Sequence, residues 1–196
     1  MSLPVLADDA RALLFSEAHT ANSFTDEPVT DEQIRTIHEL FKFPPTAMNQ
    51  QPLRVVLIGR NGNRDRLVPL LAEGNRKKTA AAPLVAVLAA DLEFHEELPK
   101  VFPHFPGAKD LFADPAAREA SAIANGWLQV GYFIMAVRAA GLAAGPMTGF
   151  DAAAATKEFF DDDHRALAVV NIGHPAEDAF RPRLPRLDFD EVVTVL

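Results

Sequence analysis

The sequence contains no cysteine in 196 residues. Disulfide bonds, thiolate nucleophiles and metal centres held by cysteine are therefore excluded. Tryptophan and tyrosine occur once each against 14 phenylalanines, so the aromatic side chains are almost all purely apolar. The length suits a single domain over residues 1–196, and hydrophobic residues, at 48%, provide ample material for its core.

Positive charge is in the minority, because 19 lysines and arginines face 27 aspartates and glutamates and the net charge is −8. A protein that follows nucleic acid phosphates or an anionic membrane surface normally presents a basic face. We therefore expect neither nucleic acid nor membrane as a partner. A local basic cluster could still bind a small anion.

Long apolar runs and targeting signals are also missing. The longest apolar run, "PLVAVLAA", is far shorter than the ~20 residues that a membrane-spanning helix needs. The opening residues, "MSLPVLADDA", show neither the basic region nor the apolar region of a secretory signal. The sequence predicts a cytoplasmic protein.

Helical and strand patterns alternate along the chain. Thr30 and Gln33 have the spacing of a capping box at the start of a helix. Residues 115–140 carry an apolar stripe at helical spacing, although Gly126 and Gly131 interrupt it, which suggests close packing against that helix. Strands are expected at 54–59, 84–90 and 166–173, and further helices at 6–20, 64–73 (ended by Gly74) and 151–160. This alternation predicts a sheet with helices on both sides.

Five stretches are too polar, too rich in glycine or too basic for an ordinary core. They are "EAHTANSF" (17–24), "PTAMNQQP" (45–52), "GNRKK" (74–78), "GPMTGF" (145–150) and "RPRLPR" (181–186). The six histidines are scattered, and no HExxH, HxxxH or Ser/His/Asp spacing stands out, which argues against hydrolysis by a nucleophile or a metal. Amides, backbone N–H groups and separated cations suit a cofactor that brings its own reactivity.

In this order, the five stretches resemble the FMN-dependent nitroreductase family over essentially the whole chain, nearest to its malonic semialdehyde reductase branch. "PTAMNQQP" resembles the family's P-S-x-x-N-x-Q-P loop, "GPMTGFD" its G-P-x-x-G-F-D loop, and "NIGHP" with "RPRLPR" its closing strand and phosphate-binding segment. The resemblance implies an α+β fold with a central, mainly antiparallel sheet between helices in three layers. It also implies an intertwined homodimer with FMN at the subunit interface.

The resemblance implies that Arg181 and Arg183 bind the FMN phosphate, for which guanidinium groups are well suited. The family's N-terminal R-R-S-x-R run is "AHTAN" in this chain, which has no arginine there. Thr20 and His19 would donate to the phosphate instead, and Asn22 would lie near the ring system. The alternative interpretation of these residues is an ordinary solvated surface, and a histidine in this place would make FMN affinity depend on pH.

Asn75 and Lys78 match the family's N-x-x-K pair beside the pyrimidine side of the flavin, where a lysine stabilises the charge of the reduced ring. The alternative is a charged helix end. A backbone N–H from "GPMTGF" is expected to reach flavin N5, although a plain turn would have the same sequence. The contacts expected from that loop are Pro146, Met147, Thr148 and Gly149.

The loop "PTAMNQQP" is expected to edge the flavin, with that of the partner subunit as one option. Its implied contacts are Thr46, Ala47 and Asn49. Asn49 could equally bond only to its own turn.

These expectations define an NAD(P)H-dependent FMN oxidoreductase. NADH or NADPH would pass hydride to flavin N5 and leave, and a small-molecule electron acceptor would then use the same face, which predicts ping-pong kinetics. No side chain stands out as an essential acid or base. The branch suggests reduction of malonic semialdehyde to 3-hydroxypropionate, whereas nitroaromatics and quinones also suit such sites. The alternatives are a flavin-binding or sensing protein without turnover and a purely structural dimer.

Overall fold

The computed structural model describes residues 3–196, in which four strands form one antiparallel sheet in the order β1–β2–β4–β3. The strands are β1 (Leu53–Ile58), β2 (Leu84–Asp91), β3 (Ala143–Met147) and β4 (His164–Gly173). The helices are α1 (Asp8–Arg11), α2 (Asp31–Phe41), α3 (Gly62–Leu67), α4 (Glu73–Ala81), α5 (Leu98–Val101), α6 (Pro115–Ala139), α7 (Ala152–Phe159) and α8 (Phe189–Val192). The predicted central antiparallel sheet is confirmed.

Strand β2 is buried on both faces because helices cover the sheet from both sides. Its residues Leu84, Ala86 and Leu88 belong to a core cluster that includes side chains of α2 and α6. Val85 and Val87 point the other way, into a second cluster that includes Leu67 of α3 and has Phe159 of α7 packed against it. Two cores on opposite faces of one sheet give the predicted helix–sheet–helix layering.

Local signals place the ends of the two helices that cover the first core. The Gln33 N–H donates to the Thr30 hydroxyl at 3.1 Å, and the Thr30 N–H donates to Gln33 Oε1 at 2.9 Å, so the predicted capping box starts α2. The Asp114 carboxylate accepts from the Ala117 N–H at 2.7 Å at the start of α6. Gly141, with φ of 78°, follows the end of α6.

Helix α6 packs closely on the sheet at one of its two glycines. A Cβ on Gly126 would lie 2.8 Å from Leu167 Cδ1 and 3.2 Å from Ala90 Cβ, whereas a Cβ on Gly131 would meet no atom within 4 Å. The predicted close packing is therefore confirmed at Gly126. By length and composition alone α6 could also cross a membrane, a property that core helices of soluble proteins share, and its Phe133 and Val137 are buried in the first core.

The predicted boundaries of two helices are wrong. The expected helix 64–73 ends at Leu67, passes into a 3-10 turn (Val68–Leu70), and is followed by α4. Pro69 has no N–H for a continuing helix, and Leu71 is extended at φ −83° and ψ 149°. Gly74 therefore lies in the first turn of α4 and does not end a helix. The expected helix 6–20 is reduced to α1 and a π turn (Ala12–Ser16).

The stretch "GPMTGF" is not simply a loop, because Gly145, Pro146 and Met147 belong to strand β3. Gly141 is the sole glycine with positive φ among residues 3–196, so Gly145 does not use its conformational freedom. A Cβ on Gly145 would instead lie 2.6 Å from the Ala21 carbonyl oxygen. The glycine is required for close approach of the N-terminal segment.

Candidate functional site

A cleft of about 690 Å³ opens beside β3, the edge strand of the sheet. Such a volume is typical of a site for a small organic molecule. Five parts of the chain build its walls. They are the segment before Phe24 (Ala18, His19, Thr20, Asn22), α4 (Gly74, Lys78), α6 (Ile134, Arg138), β3 (Ala144, Pro146) and the tail (Arg181, Pro182, Arg183, Leu184, Arg186).

The lining of this cleft is strongly cationic. It contains one lysine and four arginines, and none of the lining residues is an aspartate or a glutamate. The whole chain, in contrast, has a net charge of −8. Cations gathered in a concave site produce a local positive potential that attracts anions. The cleft therefore suits a ligand with at least one anionic group.

Arg183 and His19, both predicted for the phosphate, lie in direct contact. Arg183 Nη2 is 2.8 Å from His19 Nε2, and Arg183 Nη1 donates to the Ala18 carbonyl at 3.3 Å. A guanidinium can only donate, so in a hydrogen bond of this pair Nε2 is the acceptor. The Phe180 ring lies 5.7 Å from the His19 ring. These contacts attach the tail to the segment that carries Thr20 and Asn22.

Lys78 and Arg181 bring two positive charges to another part of the lining. Burial, and then the charge of Arg181, lower the pKa of the Lys78 ammonium below its usual value of 10.5. Neither side chain forms an ion pair with any carboxylate in the described part of the chain. An anion bound near both cations would relieve their repulsion.

Arg138 is the lining residue that the sequence analysis missed most clearly. Its Nε donates to the Leu13 carbonyl at 2.9 Å and its Nη2 to the Glu17 carbonyl at 3.2 Å. Burial, and then the charge of Arg183, lower the pKa of Arg138. Arg138 is the only charged residue between Glu119 and Asp151. That isolation was a usable signal, because a lone charge on an apolar helix must be solvated or paired.

Asn75 and Gly149 lie just outside the cleft and contact each other. Asn75 Nδ2 donates to the Gly149 carbonyl at 3.0 Å, and the Ala72 N–H donates to the same oxygen at 2.9 Å. Thr148 and Gly149 are exposed. Met147 is buried, with its sulfur 3.8 Å from the Thr79 hydroxyl, so only its backbone could meet a ligand. Pro146 lines the cleft itself.

The loop with Thr46, Ala47 and Asn49 is not brought to this cleft. The Ala47 N–H donates to Asn125 Oδ1 at 2.8 Å, and Asn49 Nδ2 donates to a carbonyl oxygen at 2.8 Å. Asn125 precedes the lining residue Ile134 by nine residues on α6, about 13 Å along a helix. Thr46 accepts from a backbone N–H within its own loop at 3.1 Å.

The same loop has an unusual backbone. Met48, Asn49 and Gln51 have φ of 49°, 53° and 47°, values that side-chain-bearing residues seldom adopt. Strained conformations of this kind cluster at functional sites and ligand clamps. The loop therefore remains a candidate binding element, although it lies away from the cleft of its own chain.

An antiparallel sheet between two helical layers, with a cationic cleft at one edge, defines an α+β protein built to bind an organic anion. The chain belongs to the nitroreductase family, whose family model matches residues 17–174.

Proteins of similar sequence and a solved structure of similar fold agree with this assignment. A protein of Streptomyces griseus, provisionally named NADH dehydrogenase/NAD(P)H nitroreductase, is 64% identical and covers 100% of both chains. One of the same provisional name from Leptothrix cholodnii is 53% identical over 93% of this chain and 94% of its own length. A nitroreductase structure from Exiguobacterium sibiricum in complex with FMN has a TM-score of 0.85 at 17% identity, covering 99% of this chain and 100% of its own. This last similarity supports the fold alone.

Proposed function

We propose that this protein is an NAD(P)H-dependent FMN oxidoreductase that binds FMN in the cationic cleft. The observation that carries the proposal is the gathering of one lysine and four arginines, without a carboxylate, in the cleft of a chain of net charge −8. The NADH dehydrogenase/NAD(P)H nitroreductase names of relatives at 64% and 53% identity support the activity. FMN is proposed as the cofactor because a protein of the same fold has been solved in complex with FMN.

The donor set fits FMN in its charge and chemistry. Arg183, His19 and Thr20 offer N–H and O–H donors to the phosphate, and Arg181 adds a further charge. Lys78 supplies a cation for the pyrimidine side of the ring. When bound, FMN supplies a hydride acceptor at N5. Two charges about 4 Å apart attract by roughly 4 kcal/mol at an effective dielectric near 20, before desolvation is subtracted.

The working form is proposed to be a homodimer in which a second copy completes the site. Trp127 on α6 is 42% exposed, and the tail from Leu184 to Leu196 presents several exposed apolar side chains. Exposed apolar side chains that follow one another along a segment are expected of an interaction site. A partner would also explain why the strained loop 46–49 lies away from its own cleft, because it could reach the cleft of the other copy.

The proposed acceptor is a small aldehyde of the malonic semialdehyde type, and the proposed location is the cytoplasm. The cleft supports an anionic acceptor, since it holds more cations than a phosphate dianion requires. Nitroaromatics remain the competing acceptors. Turnover of malonic semialdehyde and of nitrofurazone, driven by NADH or NADPH, would separate the two, and faster turnover of nitrofurazone at every concentration would contradict the aldehyde assignment.

A flavin-binding protein without turnover is the second candidate, and the missing arginines of "AHTAN" favour it. The absorbance spectrum of the purified protein decides between the two. The oxidoreductase predicts a yellow protein whose visible flavin bands are bleached by NADH or NADPH without oxygen and return with an acceptor. A yellow protein that neither nucleotide bleaches would support the second candidate, and a colourless protein without affinity for added FMN would exclude both.

A further inference from the structure

A second cluster of polar side chains lies directly after strand β2, outside the cationic cleft. The sequence "EFHEE" forms a 3-10 turn there, with Glu93, His95 and Glu96 on neighbouring positions. One potential ligand atom from each of these three side chains lies within 4.8 Å of the others. None of the three lines the cleft, so the cluster needs its own explanation.

His95 is the unusual member because it is buried and incompletely bonded. Only 6% of the residue is exposed, and its Nδ1 atom has no hydrogen-bond partner among the described residues. Nδ1 lies 3.7 Å from a Glu93 oxygen, and Nε2 lies 3.6 Å from a Glu96 oxygen. Both separations are too long for hydrogen bonds. A buried polar atom left unpaired in this way calls for a water or an ion.

The two carboxylates are held so that each turns one oxygen toward the imidazole. Arg118 Nη2 lies 2.6 Å from Glu93 Oε1, which leaves Oε2 facing His95. Lys109 Nζ lies 2.6 Å from Glu96 Oε2, which leaves Oε1 facing His95. Outer groups that fix ligand orientation in this manner are typical of metal sites.

We propose that Glu93, His95 and Glu96 bind one divalent transition-metal ion, with Zn²⁺ as the best match. The two ring nitrogens of His95 point in different directions, so one ion can bind only one of them. The unpartnered Nδ1 beside Glu93 Oε2 would be that ligand. The Glu96 side chain would turn from Nε2 toward the same ion, and a water would complete a tetrahedral set for zinc. Mg²⁺ and Ca²⁺ fit poorly because they select oxygen ligands. Metal–ligand bonds of about 2.0–2.2 Å require the three atoms to draw closer together, which the partly exposed Glu96 permits.

The site would have a structural role at the junction of β2 and α6. Arg118 of α6 bonds both Glu93 and the Leu92 carbonyl, the latter at 3.0 Å. A metal on Glu93 would therefore fix the turn after β2 against the first turns of α6. The HExxH and HxxxH spacings do not describe this site, because its ligands stand at positions i, i+2 and i+3, with Glu93 preceding the 3-10 turn that carries His95 and Glu96.

Calorimetric titration of ZnCl₂ into the chelator-treated, full-length protein tests the proposal. We expect one Zn²⁺ per chain, and Co²⁺ in its place should give the absorption of tetrahedral cobalt beyond the flavin bands. The variant Glu96→Gln should weaken Zn²⁺ binding at least tenfold, and His95→Phe should weaken it further. A thermal melt shows whether the His95→Phe variant folds. If it does not fold, the test rests on Glu96→Gln, because Glu96 is exposed.

Glu39→Gln is the matched control. Glu39 also faces a histidine with one oxygen, 3.5 Å from His38 Nδ1, and it pairs with Lys42 through the other. His38, however, is exposed and has no second carboxylate paired with it among residues 3–196. Glu39→Gln should leave the affinity and stoichiometry of Zn²⁺ binding unchanged. Absence of stoichiometric Zn²⁺ binding, or binding that Glu96→Gln and Glu39→Gln change equally, would overturn the proposal.

Discussion

Lys78 shows how a single residue can weaken the free protein and serve the ligand-bound one. Its ammonium is partly desolvated and lies near the Arg181 charge, both of which disfavour the protonated form. An anionic ligand would oppose both effects by supplying a counter-charge that favours the protonated form. The arrangement therefore lowers the stability of the ligand-free protein and raises its affinity for an anionic ligand, as expected of a binding site.

The first prediction concerns Lys78→Met in the FMN-free protein. Because the folded pKa lies below the unfolded value of 10.5, the unfolded chain binds more protons between the two values, and this group makes stability rise with pH across that window. The variant should lose that rise and melt no lower than wild type at neutral pH, while it binds FMN more weakly. Thermal melts from neutral pH to about 10.5 and FMN titrations measure both effects.

Lys77→Met is the control for this prediction, because Lys77 is exposed, adjacent and outside the cleft lining. Lys77→Met changes the net charge of the protein by the same amount as Lys78→Met. If both variants show the same pH dependence and the same FMN affinity, the effect comes from overall charge and the assigned role of Lys78 is wrong.

Helices and strands were predictable from the sequence where residues close together in the chain determine them. The Thr30–Gln33 capping box and the doubly buried β2 were both read correctly from short patterns. Strand β3 was missed because Gly145 and Pro146 are typical of loops, whereas here the glycine admits the Ala21 carbonyl from a distant segment. This contact joins residues far apart in the sequence, so no local sequence pattern could predict it.

The second prediction follows from this contact. Gly145→Ala would place a Cβ 2.6 Å from a backbone oxygen that cannot move independently, and the Ala21 N–H that donates to Ala144 at 3.0 Å would be displaced. We expect a loss of about 1–3 kcal/mol in the free energy of unfolding. FMN affinity should fall as well, since Ala21 lies between the cleft residues Thr20 and Asn22.

Denaturant titration of Gly145→Ala beside Gly62→Ala provides the comparison. Gly62 begins α3, and a Cβ there would meet no atom within 4 Å. Its replacement should change stability little. Equal stability of the two variants would show that the N-terminal segment is free to move away from β3.

At the scale of the whole molecule, about half of the residues that line the cleft were predicted from the sequence, and the fold brings the others to it. His19 and Arg183 are 164 residues apart, and both were predicted at the phosphate only through a family resemblance; their direct contact was not predicted. Arg138 was missed because a cation in the last turn of a helix is commonplace. The loop 46–49 was expected at the flavin, and whether it arrives there depends on a second chain.

The last prediction therefore addresses the proposed homodimer. Trp127→Glu would place a carboxylate on the exposed face of α6, where an apolar interface could not solvate it. We expect a shift from dimer to monomer in light scattering. FMN affinity should fall at least tenfold, because the partner's loop would no longer complete the cleft. Leu57→Glu is the control, since Leu57 is also 40% exposed but lies on β1, the sheet edge opposite β3.

The two readouts together identify which part of the dimer proposal holds. A stable dimer should bury roughly 1,200–2,000 Å² in total, which a single charge at its centre can disrupt, whereas the control should remain dimeric and yellow. A wild-type monomer that binds FMN stoichiometrically would contradict the proposal, because one chain would then suffice. If the Trp127 variant is monomeric and its FMN affinity is unchanged, the proposal that the wild type is a dimer stands. The proposal that the partner's loop 46–49 contributes to the FMN site would then be wrong.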